Sequence, residues 1–108
     1  MATALAAFAA GLPLAFVAAT PALVSAAPAP ITIAYVTDLT GPGGSQNGDS
    51  PAGFNARIAL QNAQGGLHGH KLVGLVIDDQ TNPTQISTAV QQAASKAFGI
   101  VSQSPLFF

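Results

Sequence analysis

Ile31-Thr-Ile-Ala-Tyr-Val-Thr-Asp-Leu-Thr-Gly-Pro-Gly-Gly-Ser-Gln-Asn47 divides into two halves of opposite character. Ile31, Ile33, Tyr35 and Val36 are β-branched or aromatic, side chains that pack well on a pleated backbone. Gly41, Pro42, Gly43 and Gly44 then remove the reason to continue a ladder, since they offer little to pack and proline lacks the donor. The segment therefore predicts a strand that opens at its carboxyl end into a small-residue loop over residues 37–49. From Ser50 onward the pattern is helical. Strand, loop and helix form half of a βα unit, and loops in that position are where α/β sheets hold ligands.

Toward the C-terminus the same logic repeats. Ser50-Pro51 reads as a helix start, with the serine hydroxyl satisfying a first-turn amide and proline at a position that loses no hydrogen bond. A helix over residues 51–64 follows, with Ala52, Ala56, Ala59, Leu60 and Ala63 as an apolar stripe able to lie close against a sheet. Gly65-Gly66 ends it as a left-handed cap. After the turn Leu67-His68-Gly69-His70, the run Leu72-Val73-Gly74-Leu75-Val76-Ile77 is apolar on both faces, which predicts a strand buried on both sides in a parallel sheet. It stops at Asp78-Asp79. Asn82 as cap, Pro83 at the first position and Gln85 reaching back then predict a capping box. Ile86, Ala89, Val90, Ala93, Ala94 and Ala97 form one face of the second helix, and Gln85, Thr88, Gln91, Gln92, Ser95 and Lys96 lie largely on the other. Gly99-Ile100-Val101-Ser102 begins a third strand.

The order strand, helix, strand, helix, strand predicts an α/β fold with a doubly wound parallel sheet, because crossovers between parallel strands are almost always right-handed. The loops at residues 37–47, 78–81 and 102–104 then share one edge. The turn holding His68 and His70 belongs to the opposite edge.

A chain of 108 residues allows one domain. Three basic and four acidic side chains give a net charge of -1, so no basic field exists to gather a phosphate backbone, and nucleic acid is not an expected partner. The absence of cysteine removes disulfides and thiolate metal sites. Residues 1–37 carry no charged side chain, and residues 5–19 form an apolar run rich in alanine. With small residues at Val24-Ser25-Ala26, this reads as a signal peptide over residues 1–26, cleaved after Ala26 to leave Ala-Pro-Ala-Pro ahead of the first strand. Gly11, Pro13 and Pro21 interrupt the run and keep it short of the roughly 20 apolar residues of a membrane span. The signal lacks its usual opening Lys or Arg. Residues 27–108 form the folded part, and the reading places the mature protein in the periplasm or outside the cell.

Gly43 to Ser50 has the glycine spacing of a phosphate-binding loop, but Asp49 stands where lysine clamps the phosphate and would repel it. The dinucleotide fingerprint fails because Gln46 replaces the third glycine after Gly41 and Gly43. His68 and His70 supply two candidate metal ligands with no third partner in sight, so a polar turn is the reading. Asp78 and Asp79 lack a nucleophile or base beside them and are expected to stay solvated, accept loop amides or cap the next helix. No catalytic residue, metal site or cofactor is expected.

Taken together, Ile31-Thr-Ile-Ala-Tyr-Val-Thr-Asp-Leu-Thr-Gly-Pro, Asn62-Ala-Gln-Gly-Gly-Leu-His-Gly-His-Lys-Leu and Val76-Ile-Asp-Asp-Gln-Thr-Asn-Pro-Thr-Gln resemble, in order and spacing, the start of the leucine/isoleucine/valine-binding type of periplasmic substrate-binding protein of ABC transporters. The resemblance covers residues 31–101. It implies the N-terminal part of one lobe of a two-lobed, non-enzymatic protein that closes by a hinge on a small solute, an amino acid or amide-like molecule, and hands it to a membrane permease. It also implies that the loop after strand one, at Ser45, Gln46 and Asn47, forms one wall of the cleft. The loop after strand three, which in the family brings small or hydroxyl residues to an amino acid's carboxylate, begins here with Ser102, Gln103 and Ser104. The family's usual hydroxyl position falls near Leu106 and Phe107, a departure from the amino-acid-binding pattern. Family members are several times longer, so the resemblance implies a fragment that leaves a sheet edge open and binds no solute tightly by itself. Two other readings share these residues. One is a ligand-sensing receptor domain of the same fold, which a gene with no neighbouring permease favours, and the other is a nonfunctional exported remnant.

Overall fold

The computed structural model describes residue 11 and residues 15–106. Strand β1 covers Ile31–Thr37 and is followed by a single helical turn, α1 (Gly44–Asn47), and by helix α2 (Ser50–Ala63). Strand β2 (Leu72–Asp78), helix α3 (Pro83–Lys96) and strand β3 (Gly99–Ser102) complete the order. The three strands run parallel in one sheet of order β2-β1-β3, with Ile31 opposite Leu72 and Val36 opposite Ser102. The doubly wound α/β architecture read from the sequence is the one observed. Residues 15–30 form neither helix nor strand, so the helix expected of the signal peptide over residues 1–26 is not seen across residues 15–26, and residues 1–10 and 12–14 lie outside the described residues. No described helix is long and apolar enough to cross a membrane.

Alternation along β1 sends side chains to two different helices. Ala34 and Val36, with Ile77 of β2, pack against Ala89 and Ala93 of α3, and Leu75, Ile86, Ala97 and Ile100 close the margins. Methyl-sized residues on α3 let the helix sit close to all three strands. Burial of Val36 and Ile77 there stabilises the fold by roughly 1.5–3 kcal/mol each. The face of α3 is the expected one, except that Ala94 is exposed. Asn82 caps the helix as its residue type predicts, accepting from Thr84 N at 2.9 Å. The reciprocal arm is absent, because the Asn82 N–H is already bonded to Asp79 O at 3.0 Å and Gln85 is exposed.

The other face corrects two expectations. Helix α2 does not present its alanine stripe to the sheet: Ala52, Ala56, Ala59, Leu60 and Ala63 are all exposed, and Phe54, Ile58, Gln61 and Asn62 turn inward. Phe54 stacks on Tyr35 with ring centroids 4.9 Å apart and planes 20° from parallel. An aromatic ring gains more by leaving water than several methyls do, so its position decides which way the helix faces. Ser50 is the first helical residue rather than the cap. Its hydroxyl lies 3.3 Å from the Thr37 hydroxyl, and Asp49, at the cap position, makes no side-chain capping bond. Strand β2 is likewise not buried on both sides, since β1 occupies the centre of the sheet and Val73 remains 45% exposed. At the amino edge, Asn62 joins α2 to β2 by donating to Leu72 O at 2.8 Å and accepting from Leu72 N at 2.7 Å. Gly65 and Gly66 end α2 with positive φ, as expected.

Candidate functional site

Because the strands are parallel, their carboxyl ends lie on one edge, and the chain leaves β1, β2 and β3 there into three loops. The first would be shapeless by composition. Asp78, the last residue of β2, gives it a shape. Its Oδ1 accepts from Leu39 N at 2.9 Å, Thr40 N at 3.3 Å and Gln80 N at 2.8 Å, and its Oδ2 accepts from Thr40 Oγ1 at 2.6 Å. Partial burial pushes the Asp78 carboxyl upward, but the bonds from the Thr40 hydroxyl and the Gln80, Leu39 and Thr40 amides outweigh it and hold the group below the usual carboxylate range. Gly41 lies in the left-handed region at φ 76° with its Cα against the Gln80 carbonyl, where a Cβ would collide with backbone.

A second set of contacts fixes the inner part of the loop. Asn47 Nδ2 donates to Asp38 Oδ1 at 2.6 Å, and Gly43 N donates to Thr81 Oγ1 at 2.9 Å. The single Thr81 hydroxyl proton is shared between Thr40 O at 3.3 Å and Asp38 Oδ2 at 3.4 Å. Thr81 has φ 51°, a strained setting for a β-branched residue, and the strain is held by its N–H bond to Asp79 Oδ1 at 2.9 Å. Gly43 has no room for a Cβ because the Asp38 carboxylate fills that space. Asp79 is wholly buried, and its Oδ2 has no hydrogen-bond partner among the described residues. The pair Asp78-Asp79 thus accepts loop amides as expected, but Asp79 is not solvated.

The third loop is held by β1 from below. Gln103 N donates to Val36 O at 3.2 Å, and Tyr35 OH donates to Gln103 Oε1 at 2.7 Å. Ser104 N donates to Ser102 Oγ at 3.1 Å, and the buried Ser104 hydroxyl accepts from Leu106 N at 3.2 Å. Between the loops lies a cleft of about 500 Å³. Gln46, Asn47, Ser102, Gln103 and Ser104 line it, so five of the six residues singled out from the sequence meet there. Ser45 is exposed and does not line it. Leu106 is half-buried, and Phe107 lies outside the described residues.

Asp38, Gly43, Thr81 and Pro105 also line the cleft and were not singled out from the sequence. Asp38 carried one usable signal, an acidic residue directly after a strand whose carboxyl end opens into a loop. Thr81 carried none, since its place depends on a backbone angle its residue type disfavours. The lining offers amides, hydroxyls and one carboxylate, with no lysine, arginine or histidine. His68 and His70 sit at the far edge, where His70 Nδ1 is 2.7 Å from Ala29 O. Among the described residues no group of three or more candidate ligands is placed to hold a metal ion. Such a cleft is equipped to hold a small solute by hydrogen bonds at the carboxyl ends of parallel strands.

Residues 30–105 match the family model described as periplasmic binding protein. The chain belongs to the periplasmic binding protein family. No curated protein matches it. Membership gives the cleft its general role, because this is a non-enzymatic family whose members bind small solutes outside the cytoplasm. In this periplasmic binding protein the matched span contains all three strands, both long helices and every residue lining the cleft.

Proposed function

We propose that the chain supplies one cleft wall of the extracytoplasmic solute-binding component of an ABC importer, for a branched-chain amino acid or a related small polar solute. The observation that carries this reading is the convergence of three loops, from three separate strands, on one cleft lined by amides and hydroxyls with a single carboxyl group, Asp38. Gln46 and Asn47 on one side and Ser102, Gln103 and Ser104 on the other are the proposed contacts, with Ser45 at the rim. Contacts to a facing lobe then favour a closed state that a permease recognises. Export with removal of residues 1–26 places the cleft where solute is met.

Amide chemical shifts of the labelled chain, followed during titration with leucine, isoleucine, valine and isovaleramide, test the reading. Saturable shifts at Gly43, Gln46, Asn47, Thr81, Gln103 and Ser104 are expected with at least one of these solutes. No shift at those amides at the highest soluble concentrations, or shifts confined to the groove between Phe54 and Val101, would contradict it.

A further inference from the structure

Asn47 is followed by glycine, the pairing in which an asparagine side chain is most easily attacked by the next backbone nitrogen. Glycine has no Cβ to shield that nitrogen, and asparagine is among the thermolabile residues to begin with. The other asparagines of the chain lack this pairing. Alanine follows Asn55 and Asn62, and proline, which has no N–H to give up, follows Asn82.

The folded loop ties down both groups that would react. Asn47 closes the single turn α1, and its Nδ2 donates to Asp38 Oδ1 at 2.6 Å. The Gly48 N–H donates to Gly44 O at 2.9 Å, so a carbonyl holds the proton that must leave before the nitrogen can attack. These restraints are local and few. A four-residue turn gains little from helix cooperativity, none of its residues is buried, and Gly48 and Asp49 are exposed to water. Asn62 is the contrast, because it lies inside α2 and its carboxamide is bonded through both Oδ1 and Nδ2 to Leu72.

We propose that Asn47 is a self-modification site, kept intact by the closed loop and converted to an acid when the α1 turn opens. Gly48 N gives its proton to hydroxide and bonds to Asn47 Cγ. The Cγ–Nδ2 bond breaks, and the nitrogen takes up a proton from water and leaves as ammonia. Water then opens the cyclic imide at either carbonyl. Breaking the bond from Gly48 N to Cγ gives aspartate, and breaking the bond from Gly48 N to the main-chain carbonyl carbon gives isoaspartate. Water enters, ammonia leaves, and nothing is oxidised or reduced.

Either product puts a carboxylate where the Asp38 carboxyl group had met a donor, so a hydrogen bond becomes a like-charge contact. Isoaspartate also lengthens the main chain inside the turn and takes the Gly48 N–H away from Gly44 O. The first loop then cannot close again, and the cleft wall formed by Gly43, Gln46 and Asn47 is lost whichever solute the cleft holds.

The unaltered chain, folded in buffer and unfolded in urea at the same mildly alkaline pH, is incubated while fragmentation mass spectrometry follows the mass gain at each asparagine. Asn47 is expected to convert first in both states, and at least about tenfold more slowly in the folded chain, a factor that a local opening equilibrium imposes. The converted chain is expected to show displaced amides at Gly43, Gln46 and Gly48, with those of Leu67 and Lys71 in place. Equal rates in the two states, earlier conversion of another asparagine, or cleft amides unmoved after conversion would overturn the proposal. Asp38→Ala unties the carboxamide and is expected to bring the folded rate toward the unfolded one, and an unchanged rate in that variant, if folded, would contradict the restraint given to Asp38. Asn47→Asp reproduces one product and is expected to displace the same amides, and amides left in place would contradict the loss of the wall. Should Asp38→Ala not fold, the two rates of the unaltered chain decide.

Discussion

The carboxyl and amino edges of the sheet use the same strands and helices and are held in different ways. At the amino edge the turns are closed mostly by backbone bonds, helped by Gln61, which donates to Gly66 O, by His70 against Ala29 O, and by Asn62, which pairs with both polar groups of Leu72. At the carboxyl edge the glycine-rich loop has little secondary structure of its own, and carboxyl groups hold it: Asp78, at the end of the neighbouring strand, takes bonds from Leu39 and Thr40, and Asp38, within the loop, takes one from Asn47. The lesson is that a loop able to line a cleft need not be mobile. Glycine lets the backbone pass close to its neighbours, and side chains from other strands choose which path it takes.

Four substitutions probe that contrast. Gly41→Ala forces a Cβ into the left-handed region and against the Gln80 carbonyl, so urea unfolding is expected to show a loss of about 3 kcal/mol, with cleft amide shifts displaced. Asn62→Ala leaves Leu72 N and O unpaired and is expected to lose about 2 kcal/mol. Its cleft amide shifts stay as they were, because the damage is at the other edge. Asp78→Asn keeps an acceptor for the loop amides but removes the charge, an expected loss of about 1 kcal/mol at neutral pH. Because the folded-state pKa of Asp78 is depressed, its contribution is present above the unfolded-state value and is lost as pH falls through the folded-state value. The gap between the unaltered chain and Asp78→Asn therefore closes in acid, and a gap constant with pH would contradict the charge-assisted clasp. His70→Ala, which loses a contact to Ala29 O near the surface, is expected to change stability by no more than about 0.5 kcal/mol and to leave the cleft untouched.

Much of this arrangement is legible in the sequence because it rests on local rules. The strand at Ile31, the Asn82-Pro83 helix start and the alanine face of α3 each follow from residue type and spacing alone. Once three strands alternate with two long helices, parallel pairing and the shared edge of three loops follow as well. What the sequence hides are choices settled between elements. The orientation of α2 depends on Phe54 meeting Tyr35 across the sheet, which spacing within the helix does not record. Ser50 has the residue type of a cap, but the Thr37 hydroxyl draws it into the helix and leaves Asp49 at the end. Asp38 and Thr81 join the cleft through contacts 43 residues apart in the chain. The central strand is β1 and not the more apolar β2, because position in the sheet is set by crossovers and not by hydropathy.

The convergence of the three loops can be measured directly, since the chain has no cysteine and Ser45 is exposed. A spin label on Ser45→Cys should broaden the amides of Thr81, Gln103 and Ser104 far more than those of Leu67, His70 and Lys71, which lie a strand length away, roughly 20 Å for seven residues. Broadening at Leu67 to Lys71 with Thr81 and Ser104 left sharp would place the loops on different edges and contradict the account.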